Sequence, residues 1–174
     1  MSSINVEPLA EELVKLLTER GESIALAESC TGGLAASYLC SIPGASKVFW
    51  GSFVSYSIEA KNVMLGIPVQ NIEKHDPVSR EIALAMAEGA AIKSGVNWAF
   101  SITGLAGPAI GDEAVGTVWI GTAYKIKDTI ESNAEIFMFT DKGKVLERNE
   151  IRKAACIAAF RKIINQINGH LSAY

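Results

Sequence analysis

The sequence predicts an α/β fold, a three-layer α/β/α sandwich built on a mixed, mostly parallel five-stranded sheet. Three observations carry this prediction. Apolar strand-like runs alternate with helix-like segments through the first hundred or so residues, which calls for right-handed crossovers and parallel pairing. Two late strand-like runs separated by about eight polar residues allow a hairpin that adds antiparallel pairing at one side. Amphipathic helices open and close the chain, and their apolar faces must be buried against something.

The elements follow in order. Residues 6–20 place Leu9, Leu13, Leu16 and Leu17 at helical spacing and stop at Gly21, a C-terminal cap. Residues 23–28 are a short apolar run that breaks at Ser29, Cys30, Thr31, Gly32 and Gly33, after which residues 34–41 read as a helix ended by Pro43 and Gly44. Residues 48–56, rich in aromatic and β-branched side chains, form the second strand; residues 58–65 are a short helix that stops at Gly66, with Lys61 about one turn in. Ser79 is a good N-cap for a helix reaching about Ser94, whose Ala83, Ala87, Ala90 and Ala91 suit close packing on a sheet. Residues 96–102 make the third strand, residues 103–112 a turn-rich loop, and residues 115–124 and 134–140 two more strands. A final helix over residues 145–168 carries Ile151, Ala155, Ala158, Ala159, Ile163 and Ile167 on one face.

A chain of 174 residues, 49% hydrophobic and 20% charged, is long enough for one real core and short for two. With no internal repeat or linker-like stretch, residues 1–174 read as one domain. The net charge of −3 gives no reason to expect nucleic-acid or anionic-membrane binding, which needs clustered Lys and Arg. The first residues run into Glu7, Glu11, Glu12 and Lys15 without a secretory pattern, and no apolar run approaches the roughly 20 residues of a membrane span. A cytoplasmic protein is therefore expected. Cys30, Cys40 and Cys156 have no metal-ligand spacing with His75 or His170, so a structural zinc site is not expected; Cys40 and Cys156 read as small buried helix residues. No cofactor is expected.

Ligands of open α/β sheets bind beyond the carboxyl ends of the strands, and here those exits carry Ser29 to Gly33, Tyr56 and Ser57, and Thr103 and Gly104. Ser29 falls on a tight strand-to-helix turn, where Gly32 and Gly33 let the backbone approach a ligand; the same pattern also serves as a plain cap and turn. A nucleophilic serine needs a base. His75, in a mid-chain loop, and His170, near the C-terminus, are poorly placed, so a Ser-His-Asp triad is not expected. Lys61 could return to the same sheet edge and act as base if burial lowered its pKa, or it could be an exposed lysine on a short helix. The 103–112 loop either closes over a substrate or simply leads to the hairpin. Arg148 and Arg152, four apart, present two guanidinium groups to one anion or lie on a solvated face.

The motifs Ala27-Glu-Ser-Cys-Thr-Gly-Gly33, Val54-Ser-Tyr-Ser-Ile-Glu-Ala-Lys61 with Leu65-Gly66, Val78-Ser79 followed by Ala85-Met-Ala-Glu-Gly89, Thr103-Gly-Leu-Ala-Gly-Pro108 and Val115-Gly-Thr-Val118, in this order and over nearly the whole chain, resemble the CinA C-terminal domain family in its stand-alone form. The resemblance implies a three-layer fold with a mixed five-stranded sheet. It also implies metal-independent deamidation of nicotinamide mononucleotide to nicotinate mononucleotide and ammonia, in pyridine-nucleotide salvage. By motif position, Ser29 matches the family's nucleophile, Lys61 its base partner and Tyr56 a nearby hydroxyl that could relay the proton. Thr103 and Gly104 match its substrate loop and Arg148 a late arginine. The oxyanion is expected on backbone N–H groups of Thr31, Gly32 and Gly33, and the phosphate on Arg148 or the glycine turn.

The sequence departs from the family pattern at Ile58, where Asn is usual, in residues 109–112, before Arg148, and at Asp76-Pro77, which replaces a small pair. These departures keep two alternatives open: a non-catalytic relative that binds a nucleotide or a protein partner in the same cleft, and an amidase for a different small amide. The family's association with competence and DNA damage finds no basic, aromatic-interleaved surface here. Apolar edge strands such as residues 134–140 need covering, so a homo-oligomer is an expectation as well.

Overall fold

The structure, a computed structural model, describes residues 5–108, 114–141 and 143–171. Its elements run α1 (Glu7–Arg20), β1 (Ile24–Glu28), α2 (Leu34–Cys40), a 3-10 turn (Ala45–Lys47), β2 (Phe49–Val54), α3 (Ile58–Leu65), α4 (Val69–His75), α5 (Arg80–Ser94), β3 (Trp98–Gly104), β4 (Thr117–Ile126), β5 (Thr129–Met138), the two-residue strands β6 (Thr140–Asp141) and β7 (Lys144–Val145), and α6 (Arg148–Leu171). The main sheet has the order β2-β1-β3-β4-β5. Strand β1 pairs in parallel with β2 and β3, while β4 is antiparallel to both β3 and β5. Four of the five strands thus run in one direction, and the expected three-layer sandwich is what forms.

Side-chain size decides which helices lie on which face. Ile24, Leu26, Trp98, Phe100 and Ile102 project to one side, where α1, α2 and α6 pack over them. Ala27 and Ala99 project to the other, against Ala87, Ala90 and Ala91 of α5. Small residues on both partners bring α5 so close that the Ser101 hydroxyl donates to the Ala83 carbonyl at 2.6 Å. Strand β1 is buried along its whole length, as a parallel strand covered on both faces should be.

Four details differ from the sequence expectations. Residues 69–75 form α4, so His75 ends a helix instead of lying in a loop. Strand β5 begins at Thr129, not residue 134, and follows a two-residue turn with Lys127 left-handed at φ 54°. Its polar residues are tolerated because β5 is an edge strand: Ser132 donates to Glu88 and Asn133 accepts from Lys162. Helix α6 starts at Arg148 because Lys144 and Val145 pair with β6. Cys40, at the end of α2, is exposed, whereas Cys30 and Cys156 are buried. Among the described residues no helix is long and apolar enough to cross a membrane.

Candidate active site

A cavity of about 650 Å³ opens at the carboxyl ends of β1, β2 and β3, where the parallel topology directs ligands. Ser29, Cys30, Tyr56, Lys61, Asp76, Pro77, Thr103, Gly104 and Arg148 all border it. The sequence-predicted residues from three separate strand exits therefore meet in one place.

Ser29 owes its position to a turn held from several sides. Its own N–H continues the sheet ladder by donating to the Ile102 carbonyl at 2.9 Å. The chain then reverses through Gly32 (φ 59°) and Gly33 (φ 90°), backbone angles that a side chain disfavours. Gly33 is the N-cap of α2 and has no side chain with which to cap it. Glu28, fully buried, supplies the missing cap from the end of β1: its carboxylate accepts from the N–H groups of Ala35 (3.0 Å) and Ala36 (2.9 Å) and from the Ser52 hydroxyl (3.0 Å). A carboxylate at a helix N-terminus is favourably placed, and here it locks the residue before Ser29 to both flanking elements.

Lys61 reaches Ser29 from below. Ser57 caps α3 by accepting from the Ala60 N–H, which aims the first turn of that helix at the strand ends. The ammonium nitrogen Nζ lies 3.1 Å from Ser29 Oγ, 2.9 Å from the Ser55 carbonyl and 3.5 Å from the Tyr56 carbonyl. Lys61 is 1% exposed, and its hydrogen-bond partners are all neutral. Burial therefore lowers its pKa to about 8, with the neighbouring Cys30 opposing the shift. A neutral amine in this setting can donate to the carbonyls and keep its lone pair for the Ser29 hydroxyl. The surface reading of Lys61 does not apply.

The other predicted residues divide into wall, rim and bystanders. Thr103, 1% exposed, donates to the Pro77 carbonyl at 2.7 Å and so ties residues 76–78 to the end of β3. Gly104 has a structural reason to lack a side chain: a Cβ there would lie 2.6 Å from the Thr117 carbonyl oxygen. Arg148 donates to the Gly107 carbonyl and, at 3.3 Å, to the Tyr56 hydroxyl, placing both side chains at the exposed mouth. Lys61 meets the carbonyl of Tyr56 and Arg148 its phenol, so the Lys61 amine reaches Ser29 directly, with no phenol between them.

Thr31, Gly32 and Gly33 do not border the cavity. The Gly32 N–H is occupied by the Ser29 carbonyl, and the Thr31 hydroxyl is buried without a hydrogen-bond partner among the described residues. The turn bends away behind Ser29, leaving Cys30 as the following residue that faces the cavity. Arg148 and Arg152 do not converge on one anion either. Arg152 instead donates to the Thr31 carbonyl at 2.8 Å, bracing the turn from α6. Ala109, Ile110, Gly111 and Asp112 of the predicted loop lie outside the described residues.

Two participants escaped sequence reading. Glu28 sits inside an apolar run, and only its isolation there signals a specific partner. Asp76 borders the cavity at φ 64° and ψ 145°, a placement that depends on the unanticipated α4. Cys30 neighbours Ser29, but burial pushes its thiol up to about 11, so it is protonated near neutrality and a poor nucleophile. His170 is remote: it packs on Trp98 and Tyr124, beyond the opposite ends of the strands. Among the described residues no three His, Cys, Asp or Glu side chains converge on a metal position.

The model of the family described as CinA C-terminal domain matches residues 6–167. Similar curated proteins include the CinA-like protein of Trichodesmium erythraeum (strain IMS101), 41% identical over 158 residues, and a putative competence-damage inducible protein of Caldicellulosiruptor bescii, 42% identical over 158 residues. Each match covers 90% of this chain but only 36% and 37% of those proteins, so the chain spans about a third of the length of the curated relatives it matches. Among solved structures, the competence/damage inducible protein CihA from Agrobacterium tumefaciens is similar with a TM-score of 0.85 at 34% identity, over 97% of this chain and 99% of that one.

Proposed function

The chain belongs to the CinA C-terminal domain family, and from that premise we propose that it is a metal-independent serine amidohydrolase that converts nicotinamide mononucleotide to nicotinate mononucleotide and ammonia. One observation carries the reading: a buried lysine with neutral partners stands 3.1 Å from the hydroxyl of a serine at a strand exit, inside a cavity. A lysine whose charged form is disfavoured by burial is a base near neutral pH, which a serine nucleophile requires.

In the proposed reaction, neutral Lys61 takes the proton of Ser29 as Oγ attacks the carboxamide carbon. The oxyanion that forms is held by the Cys30 N–H, the amide next to the nucleophile. Lys61 returns the proton to the departing nitrogen, the C–N bond breaks, and ammonia leaves an ester on Ser29. Water, deprotonated by Lys61, attacks that ester; the carboxylate product departs and Oγ recovers its proton. At the mouth, Arg148, held by the Gly107 carbonyl and Tyr56, is the group for the phosphate.

The test is ammonia release from nicotinamide mononucleotide by purified protein in EDTA, beside Ser29→Ala and Lys61→Ala. Turnover in the wild type that disappears in both variants is the expected result. A folded wild type that releases no ammonia would remove this substrate and leave another amide, or a cleft that only binds.

A further inference from the structure

Asp76 is held in a backbone conformation that side chains avoid. At φ 64° and ψ 145° it occupies territory that is normally glycine's, and such residues persist where surrounding structure enforces them, often at functional sites. The enforcement is visible on both sides. The Asp76 carbonyl accepts from the Ser79 hydroxyl at 2.8 Å, and the carbonyl of Pro77 accepts from Thr103 at 2.7 Å. Pro77 in turn keeps the preceding residue extended in ψ. A glycine would fit the same backbone without strain, yet the position carries an aspartate, and that residue borders the cavity.

The charges around that cavity give the carboxylate a use. Among the described residues, Lys61 and Arg148 are the cationic groups that border it, and Asp76 is the acidic one. Among the described residues Asp76 forms no ion pair, with Arg148 or with any other cation. An acid left unpaired at a binding wall repels a purely anionic ligand and attracts one that brings its own positive charge. A nicotinamide ring bonded through its nitrogen to ribose is a cation, while its phosphate is an anion.

Building on the amidase reading above, we propose that Asp76 is a specificity-determining residue: its carboxylate selects substrates whose carboxamide hangs on a positively charged ring, while Arg148 takes the anionic tail. The site therefore prefers a dipolar substrate over a neutral amide of the same shape.

The experiment measures, by titration calorimetry, binding of nicotinamide mononucleotide and of its reduced form, whose dihydropyridine ring is uncharged. It uses Ser29→Ala, in which turnover is blocked, and Ser29→Ala combined with Asp76→Asn. The expected result is that the Asp76 change weakens the cationic ligand about two- to fivefold, the size of a partly solvated charge pair, and leaves the reduced ligand unchanged. Equal weakening of both ligands, or no weakening of the cationic one, would overturn the proposal. Asp76→Gly supplies a second readout: it should lose the same discrimination while its melting temperature rises, because glycine accepts the backbone angle. A fall in melting temperature would show that the residue serves the fold instead. Wild-type protein that releases no ammonia from the mononucleotide would sink the amidase reading alone, since a ring-charge preference lost in Asp76→Asn would still stand as a property of the cavity.

Discussion

The floor and the rim of the cavity are built by opposite means. On the floor, Ser29, Lys61 and Thr103 are 8%, 1% and 1% exposed, and each is held by backbone carbonyls: Ser29 by that of Ile102 in β3, Lys61 by those of Ser55 and Tyr56 just beyond β2, and Thr103 by that of Pro77. At the rim, Tyr56 is 62% exposed, Arg148 hangs from the first turn of α6, and Asp76 sits on a short connection between helices. Buried groups surrounded by fixed dipoles keep geometry and shifted proton affinity together. Exposed groups on connections can change without disturbing the core. On the proposed amidase reading, the contrast assigns bond-making to the floor and choice of ligand to the rim.

The sharpest way to break this contrast is Lys61→Met. Ammonia release should fall by about 10²–10⁴-fold, the range that a positioned base contributes, while thermal stability rises. The sign follows from the lowered pKa. Below about 8 the lysine is charged in both folded and unfolded chains, so the folded protein carries the full burial penalty. Between about 8 and its ordinary value of 10.5, the folded chain has released the proton and the unfolded chain has not, so wild-type stability climbs. Melting curves across that window should show the variant's advantage shrinking as pH rises. The wild-type rate should climb with pH through about 8.

A smaller effect is expected from Glu28→Gln, which leaves the floor's chemistry intact and loosens its support. The amide has one acceptor oxygen where three donors now meet a carboxylate. A loss of about 1–3 kcal/mol is expected for the group left unsatisfied, read as a lower melting temperature, with kcat down about tenfold and KM little changed. At the rim the split should reverse. Arg148→Ala should raise KM for the mononucleotide about tenfold, the worth of a charged hydrogen bond, with kcat almost unmoved. Tyr56→Phe, which removes only the hydroxyl that Arg148 meets, should change KM by about twofold.

The same division explains what was legible in the sequence. Strand, turn and helix signals located Ser29, Tyr56 and Thr103 at three exits, and parallel topology requires such exits to share one edge. The burial of Lys61 was not legible, because it depends on how α3 leans on the strand ends; local composition favoured a surface lysine. Helical spacing placed Arg148 and Arg152 on one face, yet one turn of α6 carries them past the edge of the cavity, so the first meets the mouth and the second the back of the turn. The glycine pair suggested an anion cradle. The structure shows instead that Gly32 and Gly33 let the chain bend away, and Cys30 is the residue of that turn, after Ser29, that borders the cavity. In the sequence Asp76 is a departure from a pattern, and its meaning depends on a backbone angle that no spacing rule contains.

The protonated state of Cys30 has a practical corollary. With its sulfur sheltered next to Ser29, alkylating reagents meet Cys40 first, on the surface at the far end of α2. That helix is a seven-residue rod whose other end is clamped by Glu28. A fluorophore on Cys40 is thus mechanically coupled to the Ser29 turn while standing clear of the cavity, a built-in handle for watching the floor respond when a ligand arrives.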